Sequence, residues 1–513
     1  MKTFKLFFIF IILSFSCEKK VDVPAEIPSD AKISSLEITQ DGVPHSFELR
    51  NNRLIQEDKF IFGNREVTVS KLGLSAGASS TIKQGDVIKL KYSDGDFLIN
   101  VTSKDGTKSQ EYEVFYYYEY PEFNVTELPA ENVAKTSNKL IIADWNGLYS
   151  TPLYATHEEE TRNNGYIGWQ WVCGENAAGC VNKNPAIKEA DGFSQNISFV
   201  KPLIDVYDAG DKDYLQYTAI LMKMSGIDIV SMDNSAGDTE YPLTAHPRAF
   251  KEVLDDVGLE YSLQFDRIIY ITSTFGVNTE EDLIAAMQTG YEDFETRYFS
   301  SPQYHKINGK PFLSFGSDRE ESERNLLNPK LLNIFNSEST FLRPYAYETI
   351  SALKDTGYGF FYLFENSHDD AFFNNIYGNA PRIWEIQPPA FQNSGSGYVY
   401  DVGPEYDYDE TSDANTINSA SDYVYLRDWN DYRRSRTFEP SVNFGYEQLM
   451  RVIKMQNLKT TEDDLKLATD MYLKRKAYLG VQYVQKQLDQ VYQYLKAFQL
   501  DEARELLSTI PLD

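Results

Sequence analysis

Residues 213–233, DYLQYTAILMKMSGIDIVSMD, hold the pattern that decides the fold. An amphipathic helical stretch, DYLQYTAILMKMSG, leads into an apolar strand candidate, IDIVSMD, which ends in an aspartate. The alternation recurs, with strand candidates at residues 139–145, 227–233, 261–266, 310–316, 341–347, 359–365, 382–387 and 423–429. Strands and helices alternating in this way over about 300 residues predict an α/β fold, a (β/α)8 TIM barrel over residues 119–460.

Two further segments flank the predicted barrel. Residues 31–118 contain short stretches of alternating apolar and polar residues separated by turn signals such as DG, which predicts a small all-β sandwich. This module resembles the immunoglobulin-like domains that follow the lipid anchor in Bacteroidetes lipoproteins, where a spacer role is expected. Residues 461–513 have a helical apolar period and predict a C-terminal helical segment.

The N-terminus has the features of an export signal. Lys2 and Lys5 precede a short apolar run, residues 6–15, and a small residue stands directly before Cys17. This arrangement resembles a bacterial lipobox, which implies a signal peptide over residues 1–17, a lipid on Cys17 and a polar tether over residues 18–30. The alternative is an ordinary cleaved signal with a chance cysteine. The lipobox predicts a cell-envelope protein, anchored in the outer membrane.

The chain has three cysteines, and the other two are Cys173 and Cys180. In an oxidising compartment, two cysteines this close in sequence indicate a local disulfide rather than a metal site. No metal site and no cofactor are expected, because the motifs for zinc hydrolases, nucleotides and dinucleotides do not occur in the sequence.

Composition narrows the class of partner. The formal net charge of −28 repels phosphate backbones, so nucleic-acid binding is not expected. A neutral or cationic glycan fits this charge more easily than an anionic one. The aromatic share of 14% is high, and aromatic faces stack on the apolar faces of sugar rings, although tyrosines also populate ordinary strands.

Polar and aromatic side chains gather at the predicted strand ends, where barrels build their active sites. The expected substrate-binding residues there are Asp144, Trp145, Asp233, Asn234, Asp266, Trp429 and Asn430, and Glu365 is a catalytic candidate. Carboxylates in such a ring suit glycoside hydrolysis, which needs a proton donor and a base or nucleophile. The alternative for any single aspartate is that it caps the following helix.

Three stretches resemble the endo-α-mannosidase family of glycoside hydrolases and its α-1,3-glucanase relatives. These are residues 205–233, residues 298–313 and the run NDYRRSRTFEP at residues 430–440. In that family the last strand leads into a loop of the same length, whose two early glutamates carry the chemistry. The resemblance spans residues 139–455 and implies a barrel that acts on glycans.

The last loop departs from the family pattern. The first catalytic glutamate corresponds to Asp431, and the family's acid/base corresponds to Arg434, which cannot donate a proton near neutral pH. Either another acid (Glu439, Glu365 or Asp266) has taken that role, or the cleft binds glycan without cutting it. Arg434 then becomes a candidate contact for a charged sugar, or an ion-pair partner of the acidic residues 405–413, which we interpret as a solvated loop rather than a calcium site.

The leading hypothesis is therefore an endo-acting glycoside hydrolase on a lipoprotein, with Asp431, Glu439 and Glu365 as catalytic candidates. The alternative is a catalytically silent glycan-binding lipoprotein of a polysaccharide-uptake system, working with transporter components. A third hypothesis is a structural envelope protein. The expected partners are an oligosaccharide or polysaccharide and, through the anchor, a membrane.

Overall fold

The computed structural model describes residues 30–63, 65–152, 166, 169, 184–195, 200–233, 242–264, 292–307, 309–314, 340–343, 359–364, 382–386, 423–426, 429–432 and 436–512, some of them by their backbone alone. The chain forms two compact units, one up to Glu122 and one over Phe123–Leu512. Over the described ranges, no helix has both the length and the apolar character that crossing a membrane requires.

The first unit is built on one continuous sheet. Its strands are β1 (Ile33–Gln40), β2 (Val43–Arg50), β3 (Arg53–Gln56), β5 (Glu66–Leu74), β6 (Ser79–Ser80), β7 (Val87–Lys89), β8 (Gly95–Thr102) and β9 (Ser109–Tyr116), with a separate short pair of β4 (Phe60–Ile61) and β10 (Tyr118–Glu119). The order is β6-β8-β9-β3-β2-β1-β5-β7, and the β3–β9 pair is parallel. The predicted all-β content is present, but the two-sheet immunoglobulin-like arrangement is not confirmed, because hydrogen bonds join all eight strands into one sheet.

Tight turns set the register of the first three strands. Asp41 and Gly42 link β1 to β2, and Asn51 and Asn52 link β2 to β3, all four with positive φ. Positive φ at both central residues is typical of the hairpin turn that matches strand twist, and Asn, Asp and Gly tolerate it best. The resulting alternation buries one face of the sheet, with Ile38, Val69, Ile99 and Val114 among others in a single apolar core.

Eight parallel strands form a closed ring in the second unit. They are β11 (Leu140–Trp145), β12 (Ile229–Asp233), β13 (Glu260–Gln264), β15 (Lys310–Ser314), β16 (Thr340–Arg343), β17 (Gly359–Phe364), β18 (Arg382–Ile386) and β19 (Tyr423–Leu426). Each strand pairs in parallel with its neighbours, β13 with β15 and β19 with β11, which closes the ring. A short β14 (Lys306–Ile307) lies antiparallel to β15. These are the eight strands that the sequence pattern predicts.

The inside of the ring is packed with large side chains. Ile142, Ile229, Phe312, Tyr423 and Tyr425 form one buried cluster. Because side chains alternate along a strand, Asp144 lies on the same face of β11 as Ile142, at the carboxyl end of the ring. The described side chains of β11, β12, β15 and β19 therefore form an apolar cluster beneath the carboxyl-end face.

Helices surround part of the ring. The described helices are α1 (Lys212–Met224), α2 (Pro242–Val257), a π-helical turn (Glu295–Phe299), α3 (Glu447–Met455), α4 (Glu462–Ala477), α5 (Gln482–Lys496) and α6 (Leu500–Ser508). Helix α1 connects β11 to β12, and α2 connects β12 to β13, as the strand–helix alternation predicts. The remaining helical layer of the predicted barrel lies outside the described residues.

The three C-terminal helices are tied to the barrel unit by charged side chains. Lys476 on α4 forms ion pairs with Asp211, the N-cap of α1, and with Asp213 in its first turn. Lys474 on the same helix donates a 2.8 Å hydrogen bond to the carbonyl of Leu507 on α6. These bonds fix α4 between the barrel and the last helix.

Candidate active site

A short hairpin lies at the carboxyl ends of β11 and β19. Its strands are β20 (Asn430–Asp431) and β21 (Arg436–Thr437), which pair antiparallel directly after Trp429. The Trp429 amide donates a 2.8 Å hydrogen bond to the carbonyl of Asp144, on β11. We refer to residues 430–437 as the mouth hairpin, since active sites of parallel barrels form at this end of the strands.

Asn430 ties the mouth hairpin to the loop after β11. Its Oδ1 accepts a 2.8 Å hydrogen bond from the Asn146 amide, and its Nδ2 lies 3.0 Å from the Asn146 carbonyl. The same Nδ2 lies 3.2 Å from the Tyr207 hydroxyl and 3.3 Å from the Tyr214 hydroxyl. A fully buried amide with all these partners fixes the first residue of the hairpin in one position.

Glu439 is buried beneath the mouth hairpin in a cage of tyrosines. Its Oε2 accepts hydrogen bonds from the Tyr207 and Tyr432 hydroxyls, both at 2.9 Å. Its Oε1 is buried and forms no hydrogen bond of normal geometry with a described residue. Its backbone amide donates to the carbonyl of Trp429 at 2.9 Å, which holds the residue against the start of the hairpin.

This environment changes how the carboxyl group titrates. Burial raises the pKa of Glu439 to about 7, against the opposing effect of the Tyr207, Tyr432 and Tyr214 hydroxyls. Burial and the charge of Glu439 raise the pKa of those hydroxyls well above its usual value, so they stay protonated and donate. A buried carboxyl group with a pKa near neutrality, at the carboxyl ends of parallel strands, makes this cage a candidate functional site.

Aromatic rings enclose the cage on its outer side. Trp169 donates from Nε1 to the carbonyl of Tyr207 at 2.8 Å, and its ring lies 5.5 Å from that of Tyr432. Tyr207 and Tyr214 stack with their ring centres 3.8 Å apart. Sequence reasoning assigned no role to these tyrosines, although Tyr207 lies inside the YDAGD stretch of the family resemblance and Tyr432 lies inside the last loop.

A second polar pair fixes the loop after β11. Asp208 accepts from the Thr151 amide at 3.0 Å and from the Gly210 amide at 2.7 Å. His246 on α2 places Nε2 3.5 Å from the Asp208 carboxylate and Nδ1 2.6 Å from the Gly147 carbonyl. Burial raises the pKa of Asp208, and the nearby His246 opposes that rise.

The two tryptophans expected to stack on sugar are in the core. Trp145 is fully buried against Phe250 of α2, with ring centres 4.6 Å apart, on the face of β11 opposite Asp144. Trp429 is also fully buried and donates from Nε1 to the Thr218 hydroxyl of α1 at 2.9 Å. Stacking needs a ring face open to solvent, so the substrate-binding role predicted for both residues is corrected to a packing role.

The other predicted site residues divide into three groups. Asp144, Asn430, Asp431 and Glu439 converge at the mouth hairpin, where Asp431 is buried on the strand position next to Asn430. Asp233 ends β12, as expected, with only its backbone described. Asn234, Asp266, Glu365, Arg434, Cys17, Cys173 and Cys180 lie outside the described residues, so their predicted roles stay predictions.

Within the described ranges, no group of three or more histidine, cysteine, aspartate or glutamate side chains could hold a metal ion. The described residues at the mouth hairpin offer carboxyl, amide and phenol groups. Those groups suit recognition of hydroxyls and proton transfer.

Comparison with known proteins gives distant likenesses. No protein-family model matches the chain, and no curated protein matches it. Among solved structures, it is similar to a GH99 endo-α-mannosidase from Bacteroides thetaiotaomicron, with 12% identity, a TM-score of 0.43, and coverage of 64% of this chain and 98% of that one. This is the family that the sequence motifs resemble.

Two more solved structures are similar over long stretches. A glycoside hydrolase-like protein has 11% identity and a TM-score of 0.35, covering 65% of this chain and 98% of its own. A family 123 glycoside hydrolase from Clostridium perfringens has 10% identity and a TM-score of 0.34, covering 94% of this chain and 90% of its own. Because all these likenesses are distant, the function proposed below depends on the geometry of the site itself.

Proposed function

We propose that this chain is a glycan-active protein, an endo-acting glycoside hydrolase of the endo-α-mannosidase-like type. The observation that carries the proposal is the position of Asp431. It lies on a hairpin at the carboxyl ends of β11 and β19, and buried hydrogen bonds of Asn430 and Tyr432 hold it from both sides. Catalytic carboxylates need such rigid support, since small displacements lower the rate strongly.

In this proposal Asp431 serves as the base or nucleophile of hydrolysis. The proton donor is Glu365, which directly follows β17 in the sequence, because the Oε2 atom of Glu439 is committed to two tyrosines. The acid protonates the leaving oxygen while the glycosidic bond breaks, and water supplies the new hydroxyl. Asp144, on the inner face of β11, supplies a hydrogen bond to a sugar hydroxyl.

We further propose that the parallel ring is the core of a complete (β/α)8 barrel on an exported, lipid-anchored chain. The first two strand–helix connections, through α1 and α2, support the barrel. The lipobox-like sequence ending at Cys17 supports the anchor, with the N-terminal sheet unit as a spacer. Outer-membrane location and cooperation with glycan-uptake transporter components follow from the anchor and remain proposals.

The second candidate is a catalytically silent glycan-binding lipoprotein. Arg434 favours this candidate, because it corresponds to the acid/base of the endo-α-mannosidase family and cannot donate a proton near neutral pH. A glycan-array binding screen beside a product assay on the same oligosaccharides separates the two. Binding with release of shorter oligosaccharides supports the hydrolase, and binding without products supports the silent protein. Absence of both leaves the structural envelope protein.

A further inference from the structure

We propose that Glu439 is a positioning residue: its carboxyl group, held between the Tyr207 and Tyr432 hydroxyls, locks the mouth hairpin and so Asp431, most firmly when it is neutral. The inference rests on the proposed function, since it concerns how Asp431 is presented. Glu439 does not touch substrate in this account. It acts through the two tyrosines and through the backbone of the hairpin.

The bonding pattern shows how one carboxyl group reaches both sides of Asp431. Tyr432 follows Asp431 directly, and its hydroxyl donates to Oε2 of Glu439. Asn430 precedes Asp431, and its Nδ2 is 3.2 Å from the Tyr207 hydroxyl, which also donates to Oε2. Glu439 thus closes a continuous polar chain around the residue that carries the proposed chemistry.

The backbone adds a third attachment at the same place. The amides of Phe438 and Glu439 both donate to the carbonyl of Trp429, at 3.0 and 2.9 Å, and the Thr437 hydroxyl donates to it at 2.7 Å. The end of β21 is therefore bound to the residue that begins the hairpin. Movement of Glu439 out of its cage breaks these bonds together with the tyrosine bonds.

Burial favours the neutral acid over the charged one. The tyrosine donors to Oε2 stabilise a carboxylate, but the enclosure of the whole group by protein opposes the charge more strongly. The titratable groups facing Glu439 in the described structure are Tyr207, Tyr214, Tyr217 and Tyr432. A carboxylate enclosed by protein loses its hydration, so ionisation favours states in which the hairpin opens to water.

Hydrogen exchange measures this opening directly, without a glycan. With a pKa of about 7 in the closed cage and an ordinary value in the open state, the opening constant should rise about tenfold between pH 6 and pH 8. The amides to follow in the full-length protein are those of Phe438 and Glu439, after correction for the intrinsic pH dependence of exchange.

Glu439→Gln keeps an oxygen that accepts both tyrosine hydroxyls but cannot ionise. It should show slow exchange at these amides at both pH values, with the tenfold rise abolished. Tyr432→Phe removes one donor and should accelerate exchange at the same amides at pH 6. Tyr492→Phe is the control, because it removes a partly buried tyrosine–carboxylate bond, to Asp256 on α2, far from the hairpin in the chain.

Three results would overturn the inference. One is a pH-independent opening of the wild-type hairpin, and another is the same tenfold rise in Glu439→Gln. The third is equal acceleration at the hairpin amides in Tyr432→Phe and Tyr492→Phe, which would show only a general loss of stability. None of these results depends on glycan binding. If the proposed function is wrong but this inference is right, hydrogen exchange at the hairpin will still depend on pH, while the product assay will detect no glycan product.

Discussion

The Tyr432 hydroxyl donates a 2.9 Å hydrogen bond to Oε2 of Glu439, a carboxyl group that is almost completely enclosed by protein. This bond joins the residue that follows Asp431 to the residue that ends the last loop. Burial of a carboxyl group lowers the stability of the fold unless hydrogen bonds or other interactions compensate for the lost hydration. In our proposal, the hydrogen bonds of Glu439 hold Asp431 in a fixed position.

The first prediction concerns stability and pH. Because the pKa of Glu439 is raised from 4.5 to about 7 in the folded protein, its contribution is complete below pH 4.5 and is lost as the pH rises through 7. The wild type should therefore lose about 3 kcal/mol of unfolding free energy relative to Glu439→Gln between pH 4 and pH 8. Urea denaturation of both proteins across this range measures it. If the difference in unfolding free energy between the two proteins did not change with pH, the pKa of Glu439 would not be raised in the folded protein.

The second prediction tests the corrected role of a tryptophan. Trp429→Phe should lower the unfolding free energy by about 1–3 kcal/mol, because the Thr218 hydroxyl loses its partner and the ring volume is reduced. Affinity for any glycan found in the array should stay within twofold. A double-mutant cycle with Thr218→Val isolates the hydrogen bond. A stable variant that has lost its glycan affinity would restore the stacking role.

The third prediction concerns the C-terminal helices. Lys476→Met should destabilise the protein by about 1.5–3 kcal/mol, since Asp211 and Asp213 at the start of α1 lose their partly buried counter-charge. Lys466→Met on the same helix is the control, because Lys466 pairs with Glu462 and Asp463 at the exposed surface and should change stability by less than about 1 kcal/mol. Equal effects of the two variants in thermal unfolding would show that the ion pairs of Lys476 with Asp211 and Asp213 do not stabilise the contact between α4 and α1.

The sequence pattern was sufficient for the barrel strands. Each of the eight is an apolar run ending in polar residues, and periodicity identifies such runs without knowledge of their partners. The short strand β3, Arg53–Gln56, was not predicted, because its sequence, RLIQ, shows neither alternation nor a longer apolar run. Nor did alternation within residues 31–118 reveal that the strands join into one sheet, since pairing order depends on contacts distant in sequence.

The arrangement of the candidate site was predicted in part. Asn430, Asp431 and Glu439 lie close together, as their common motif at a strand end predicts, and their roles stay predictions. The stacking role predicted for Trp145 and Trp429 was wrong, because residue type alone does not show whether a ring faces the site or the packing between strand and helix. Tyr207 and Tyr214 were not predicted as site residues. Tyr207 lies in the loop before α1 and Tyr214 lies in the first turn of α1, where a buried aromatic residue is usually explained by helix packing.

The fourth prediction concerns the anchor. Metabolic labelling with a palmitate analogue should tag the wild type, and Cys17→Ala should remain unlabelled and appear in the soluble fraction of the expressing cells. Cys173→Ala serves as the control and should be labelled like the wild type. Equal labelling of wild type and Cys17→Ala would exclude a lipid on Cys17.

The proposal that Asp431 takes part in glycan hydrolysis is tested by a product assay with wild type and Asp431→Asn on the oligosaccharides that the purified protein binds. Asp463→Asn, an exposed aspartate on α4, is the control. We expect wild type and control to release shorter oligosaccharides, and Asp431→Asn to lower the rate at least about a hundredfold with affinity nearly unchanged. A wild type that neither binds nor cleaves any oligosaccharide, with Asp431→Asn indistinguishable from it, would contradict the account.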